Sequence, residues 1–400
     1  MSIASDEKGT EFSALRETFS VRKEAMRSAI VHYWLVNMRG GEKVLEALCR
    51  LLPDADIFTL FYDPERVSPL IRSRNVKASF LNPFKRFYRS LLPIMPYALE
   101  HFDLRGYDLV VSSESGPSKG VLTASDTRHI CYCHTPMRYL WDLYPAYLHD
   151  WTNSRFKRAV LTACAKSLRQ WDYASAGRVD EFIANSGAVQ KRIWKAYRRE
   201  SCVIHPPVEV EAFYWRPAED YYLVVSELVA YKRVEDAVRC FTRNGCKLKI
   251  VGDGPEYSAL KRLAGRSIEF CGRVSSLELR SLFSRCRALV ATGEEDFGIV
   301  AVEALASGKP LVALGRGGIL DIVGIDDASA GVLYERPGDE ALQHAVARFE
   351  LLEPFVNPGS LQARASRFSE ARFLREMRQV IQRPERVQVE QVFASRGAVN

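Results

Sequence analysis

Two carboxylates, Glu295 and Glu303, bracket a glycine turn in the segment Thr292-Gly-Glu-Glu-Asp-Phe-Gly-Ile-Val-Ala-Val-Glu-Ala-Leu-Ala-Ser-Gly-Lys-Pro310. The segment follows the β-rich run Ala288 to Ala291, opens a helix near Gly298 and closes it at Gly308, with Pro310 just beyond. The first N–H groups of a helix have no intrahelical acceptor and carry the positive end of its dipole. A strand feeding such a helix through a glycine turn is therefore an anion site. A nucleoside diphosphate is its natural occupant, because Gly298 lets phosphate oxygens reach the backbone between Phe297 and Ile299-Val300. Glu303, about a turn into the helix, is within reach of ribose hydroxyls, and Glu295 in the turn is placed to hold sugar hydroxyls. Isolated glutamates at such positions are ordinarily a helix-terminal carboxylate and a solvated face residue, so the surrounding motifs must decide.

A second group of candidates lies in the first half. Val36-Asn-Met-Arg-Gly-Gly-Glu-Lys43 follows a strand and precedes an amphipathic helix carrying Val44, Leu45, Leu48, Leu51 and Leu52. Bare backbone at Gly40 and Gly41 would let a donor or acceptor come close. In Cys131-Tyr-Cys-His-Thr-Pro-Met-Arg-Tyr-Leu-Trp-Asp142, His134 ends a predicted strand, where open α/β sheets place ligands. Arg138, Trp141 and Asp142 beside it suit a sugar-binding floor better than a core.

The elements that must position these residues alternate short apolar β-rich runs with helical periodicity, the pattern of parallel sheets covered on both faces. Strands are expected at Ala29 to Val36, Leu109 to Ser113, His129 to Cys133 and Phe182 to Asn185. The rhythm restarts with Tyr222 to Val225, Leu248 to Val251, Ile268 to Cys271, Ala288 to Ala291, Leu311 to Ala313 and Gly331 to Tyr334. Two doubly wound α/β domains follow, with their join between Pro206 and Asp220, where prolines interrupt any helix. The expected organisation is a flexible extension over residues 1 to 26, an acceptor-binding domain over 27 to 207, a donor-binding domain with a terminal helix over 208 to 383, and a tail over 384 to 400. Ala363 to Met377 reads as one helix with Phe368, Phe373 and Leu374 turned inward.

The spacing Glu295-Asp-Phe-Gly-Ile-Val-Ala-Val-Glu303 resembles the signature of glycosyltransferase family 4, the retaining enzymes of GT-B fold. The resemblance extends in the family's order to Val224-Val-Ser-Glu-Leu-Val-Ala-Tyr-Lys-Arg233, Ile250-Val-Gly-Asp-Gly-Pro255, Phe270-Cys-Gly-Arg-Val274 and Gly317-Gly318, and covers roughly Ala29 to Met377. It implies two Rossmann-like domains facing across a cleft, with a C-terminal helix returning to the N-terminal domain. It further implies that Lys232 neutralises the diphosphate, Glu303 binds ribose, Glu295 contacts the donor sugar and the turn Gly272-Arg273-Val274 meets the base. The His134 stretch is similar to a subgroup of bacterial O-antigen and exopolysaccharide mannosyltransferases, in which the histidine touches the transferred sugar. That analogy implies GDP-mannose as donor, with UDP-glucose among the alternatives, and no metal or other cofactor. One departure stands out: many family members carry Arg where this chain has Glu227, and a carboxylate there repels phosphate. Either Glu227 points elsewhere or Arg233 supplies the missing charge.

Composition bounds the rest. A chain of 400 residues, 47% hydrophobic, can bury two domain cores. The net charge of +7 is dispersed and accompanies no nucleic-acid module, which argues against a nucleic-acid binder and leaves phosphates or an anionic membrane surface as partners. The nine cysteines lack redox or zinc spacing and read as reduced thiols of a cytoplasmic protein. No apolar run is long enough to cross a bilayer. Within Asn82 to Tyr97, however, Lys85, Arg86 and Arg89 interleave with Phe84, Phe87, Tyr88, Leu91 and Leu92, a composition suited to peripheral contact with an anionic inner membrane face. The acceptor expected there is a saccharide, one linked to polyprenyl diphosphate among the candidates. A GT-B epimerase, which needs no acceptor, is the rival enzyme.

Overall fold

The computed structural model describes residues 26–150, 155–324 and 328–383. The expected extension and tail lie outside these residues, apart from Met26. Two wholly parallel sheets organise the chain. The first, in order β3-β2-β1-β4-β5-β6-β7, is built from β1 (Ser28–His32), β2 (Asp56–Thr59), β3 (Val76–Ala78), β4 (Leu109–Glu114), β5 (Arg128–Cys133), β6 (Glu181–Ala184) and β7 (Ser201–Val203). The second, in order β10-β9-β8-β11-β12-β13, uses β8 (Tyr222–Val225), β9 (Leu248–Val251), β10 (Ile268–Gly272), β11 (Leu289–Ala291), β12 (Leu311–Leu314) and β13 (Gly331–Tyr334). Both sheets reverse strand order beside their first strand, opening a crevice at the carboxyl ends of β1 and β4 and another at those of β8 and β11. Open α/β sheets bind ligands at such points.

Strands covered on both faces read as unbroken apolar runs, and every residue of β1 is buried. Ile30 sits in register with Ile57 on one side and Val111 on the other. The helix Gly40–Leu51 lays Val44, Leu45 and Leu48 on this sheet, while Tyr222, Phe241, Phe283 and Phe349 fill the two faces of the second.

Three strands escape the sequence reading, β2, β3 and β7, each only three or four residues long and too short to show a period. The first expected strand also ends sooner. Regular pairing stops at His32, and Leu35 re-engages only as an isolated bridge to Tyr62.

The single helix expected over 363 to 377 is two, and the break lies where the chain crosses between domains. Ser369 is extended at φ −64° and ψ 154°, and the Phe368 carbonyl accepts from the Val208 N–H at 3.0 Å, so the helix cannot run through. Phe368 stays in the core of the second domain, whereas Phe373, Met377 and Val380 of the next helix, Glu370–Gln382, enter the core of the first. The Arg128 guanidinium donates to the carbonyls of Val380, Ile381 and Arg383 at 3.0 Å each, and Arg50 pairs with Glu370 at 2.9 Å. The terminal helix thus returns to the N-terminal domain, and the two chain crossings, at Val208 and Ser369, lie side by side.

Candidate active site

The C-terminal side of the cleft is assembled by backbone. After β11 the chain turns at Gly298, whose φ of +103° only glycine adopts readily, and enters the helix Ile299–Ala306. The loop after β12 zips onto that turn: the Gly318 N–H donates to the Glu295 carbonyl at 2.9 Å, and a Cβ on Gly318 would collide with the backbone of Asp296 and Phe297. The loop after β8 closes the third side. Thr292 Oγ1 donates to the Lys232 carbonyl at 2.9 Å, and a Cβ at Gly293 would stand 2.9 Å from Lys232 Cα.

This packing sets the Lys232 ammonium against the Glu295 carboxylate in an ion pair. Burial alone would lower the lysine pKa, but the adjoining Glu295 more than offsets it and holds the group charged, above the ordinary lysine value. Glu303 is nearly enclosed at 7% side-chain exposure, and burial raises its pKa against the opposing pull of Lys43.

The N-terminal side is built from side chains. Gly40 opens its helix against Ile299, where a Cβ would come within 2.8 Å of the Ile299 Cδ1 methyl. Lys43, on the same helix, reaches Glu303 at 3.4 Å. Arg39, just before it, meets Glu227 through Nη1 to Oε2 at 3.2 Å and Nη2 to Oε1 at 3.4 Å. His134 follows β5, with Nε2 at 2.9 Å from Ser113 Oγ and its ring against those of Tyr33 and Tyr132. Desolvation, with His32 adding to it, pushes its pKa down to about 3, so the imidazole is neutral at ordinary pH.

Deeper in the cleft, Arg138 and Arg192 from the N-terminal domain face Glu294 and Asp296 from the other. Arg192 pairs with Glu294 at 2.5 Å and also with Asp296; Arg138 reaches Asp296 at 3.2 Å. Ser186 Oγ donates to the Asp296 carbonyl at 2.5 Å. Beside this cluster Asp321 accepts from the Gly187 N–H at 2.7 Å and lies 3.1 Å from His205 Nε2. Burial tends to raise the Asp321 pKa, but its bonds from His205 and Gly187 hold the carboxyl below the usual range.

The residues singled out in the sequence divide accordingly. Gly40, Lys232, Glu295, Gly298, Ile299 and Glu303 converge at the cleft, whereas a Cβ on Gly41 would meet the Tyr33 hydroxyl of its own domain. Val300 packs partly buried on the core beneath it. Phe297 is core, its ring against His205 and Phe368 where the chain crosses between domains. Arg233 is tied bidentately to Asp236 of its own helix, at 2.8 and 3.1 Å, and not to phosphate-facing groups. Gly272 takes the left-handed conformation at the end of β10, with Arg273 82% exposed and 3.6 Å from Asp253, and Val274 packed on the core. Trp141 gives its indole N–H to Asp172 at 2.7 Å, inside the first domain. Arg138 and Asp142, 3.1 Å apart, belong to the interdomain cluster. Arg39, Lys43, Arg192 and Asp296 were not picked out. Arg39 and Lys43 flank the glycine pair in sequence, which could have flagged them; nothing in the sequence pairs Arg192 with Asp296.

Fold and cleft define a two-domain α/β protein of the GT-B architecture. Family comparison adds the particular: residues 38–212 match the model described as Glycosyltransferase Family 4 and residues 207–371 that of Glycosyl transferases group 1, so the chain belongs to the GT-B glycosyltransferase family. An uncharacterised glycosyltransferase of Methanocaldococcus jannaschii is 28% identical over 172 residues, 42% of this chain and 48% of that protein. The N-acetyl-alpha-D-glucosaminyl L-malate synthase of Bacillus anthracis is 30% identical over 26% of this chain and 30% of its own. The matched stretches thus span about half or less of these relatives. Among solved structures, HepE of Anabaena in complex with UDP and glucose superposes with a TM-score of 0.64 at 16% identity, covering 89% of this chain and 99% of that one. The lipopolysaccharide outer core galactosyltransferase WaaB gives 0.62 at 15%, over 89% and 99%. Among the described residues no helix is long and apolar enough to cross a membrane.

Proposed function

We propose that the protein transfers a hexose, with retention of configuration, from a nucleoside diphosphate sugar to a saccharide acceptor. The observation that carries this reading is the convergence of Lys232, Glu295, Glu303 and the helix start at Gly298 around one crevice at the β8–β11 switch point, faced by Gly40. Charge develops on the diphosphate as the glycosidic bond breaks, and Lys232 with the free N–H groups of that helix would stabilise it. In this reading the acceptor attacks from the face the diphosphate leaves, and the departing oxygens take its proton. A neutral His134 serves as a hydrogen-bonding partner of the sugar. GDP-mannose is the first donor to test, with UDP-glucose the alternative that the UDP and glucose complex of the structural neighbour favours. Melting curves with GDP-mannose, UDP-glucose and ADP-glucose decide: the true donor at about a hundred times its Kd stabilises the fold by about 3 kcal/mol. If none of the three shifts the transition, the reading fails.

The acceptor is proposed to be lipid-linked, presented at the inner membrane face of the cytoplasm. Support comes from the segment Asn82–Ile94 and the helix Met95–Glu100 that follows. Leu91 and Leu92 pack inward, while Phe84, Phe87 and Tyr97 remain 56%, 66% and 71% exposed beside Arg86 and Arg89. Flotation with vesicles containing anionic lipid should recover the protein at low salt; failure to bind at every salt concentration removes this part of the proposal.

A further inference from the structure

The carboxylate at position 227 poses an electrostatic problem that the cleft resolves from its other side. The loop carrying Glu227 runs directly into Lys232, and Glu227 is 36% exposed at the cleft mouth. Left alone it would repel a diphosphate held by Lys232. Arg233, the nearest cation in sequence, is bound by Asp236. Arg89 lies within the electrostatic reach of Glu227, yet its guanidinium is engaged by the Tyr88 hydroxyl at 3.1 Å. The cation that meets Glu227 is Arg39, from the opposite domain, through both terminal nitrogens.

The position of Arg39 is fixed by its neighbours. It caps the helix Gly40–Leu51, its backbone N–H donating to the Glu42 carboxylate at 2.8 Å, and its successor Gly40 touches Ile299, the first residue of the anion-binding helix. The guanidinium, half exposed, extends from this capped backbone position. A guanidinium binds phosphate oxygens in the same bidentate manner as a carboxylate.

We propose that Arg39 is a donor-phosphate ligand delivered across the cleft, with Glu227 as the anion that holds its place while the site is empty. Binding of a nucleoside diphosphate exchanges one bidentate partner of Arg39 for another, so donor binding and the docking of the N-terminal domain become one event. The proposal rests on the glycosyltransferase reading above and assigns a residue that reading does not need.

The two members of the pair are then predicted to act in opposite directions, which a structural ion pair would not do. Calorimetric titration of the full chain with GDP and with UDP supplies the test. Arg39→Ala should weaken binding of the better diphosphate about tenfold or more, and Glu227→Gln should tighten it by a factor of a few. Nucleoside monophosphate binding should change less in both variants. Arg39→Ala combined with Glu227→Arg should recover most of the lost affinity by placing the cation on the other wall. Equal diphosphate affinity in wild type and Arg39→Ala, or a change of the same sign in Arg39→Ala and Glu227→Gln, overturns the assignment and leaves the functional reading standing. A wild-type chain that binds neither diphosphate overturns both.

Discussion

The two walls of the cleft are made of different materials. The C-terminal wall is backbone: Gly293, Gly317 and Gly318 let three loops pack where no side chain fits, and Gly298 supplies the left-handed turn into the helix. The N-terminal wall reaches across with long side chains, Arg39, Lys43, Arg138 and Arg192, each ending on a carboxylate of the other domain. A wall made of backbone holds its shape without a ligand, because its geometry is enforced by sterics. A wall made of ion pairs can let go, since each pair has an alternative partner in water or in substrate. On the proposed reading, the donor site is preformed on one side and completed by exchange on the other.

The largest effect should follow from attacking the rigid wall. Gly318→Ala drives a Cβ into the Phe297 backbone and separates the loops after β11 and β12. Urea unfolding should show about 3 kcal/mol lost, together with the donor-induced shift in melting temperature; an unchanged midpoint would mean the loops are not jammed together. Glu295→Ala removes a side chain from the same wall without disturbing the backbone. Transfer per folded molecule should slow about a hundredfold, with some stability lost because Lys232 keeps its charge without its partner; a variant that keeps the full rate rules out its role at the sugar.

Arg192→Met breaks the flexible wall at an enclosed point, where Arg192 is 15% exposed and Asp296 30%. Burial already raises the Asp296 pKa, with Arg138 and Arg192 opposing it. Losing one of the two guanidinium groups should cost about 2 kcal/mol and loosen the domains, read as higher hydrogen exchange at Ser186 and Gly187. If Arg192→Met and Asp296→Asn combine additively, the pair is not coupled and the clamp does not exist.

What the sequence made legible follows the same division. The Gly298 turn could be read from the residues because a strand-to-helix turn with close backbone approach admits one residue type, whereas the Gly317-Gly318 pair and the Lys232 loop came only through the family resemblance. The strand run Tyr222 to Val225 coincides with β8 for a related reason: a strand covered on both faces leaves continuous apolar text. The ion pairs could not be read, since Arg39 and Glu227 are 188 residues apart and either charge has many exposed alternatives. Trp141 misled for the opposite reason. Its neighbours looked like a sugar platform, but its indole N–H serves Asp172, a buried carboxylate far along the chain that no local pattern announces.

Acid should separate the two domains. In the first, His129 is wholly buried, with Nε2 at 2.9 Å from Ser112 Oγ, and desolvation, reinforced by Lys119 and opposed by Asp180 and the bond involving the Arg178 backbone, lowers its pKa to about 4. His134 falls to about 3. The histidine among the helices of the second sheet, His344, is exposed. Folded-state values depressed below 6.5 mean that the unfolded chain takes up protons first as pH falls. Stability is therefore complete above about pH 6.5 and declines below it, at up to about 1.4 kcal/mol per pH unit for each histidine. Melting temperatures between pH 7.5 and 5 should show this decline and His129→Gln should flatten it; a wild-type profile that stays level contradicts the buried, neutral state.

The smallest effect should come from Lys43→Met, and it tests whether the flexible wall tunes the rigid one. Lys43 is 43% exposed, so its pairing with Glu303 contributes little to folding, at most about 1 kcal/mol. Its influence lies in the charge of Glu303. Burial pushes the Glu303 pKa up and Lys43 is the leading influence pulling it back, so removing the ammonium lets the value climb further. Donor affinity that depends on an ionised Glu303 gripping ribose must then fail at a higher pH. The acid limb of donor binding should move upward in Lys43→Met while affinity at pH 8 changes little. A limb that stays in place means that Glu303 is not the carboxylate the nucleotide uses, even if the diphosphate site at Gly298 is right, because the helix start and Lys232 do not titrate in that range.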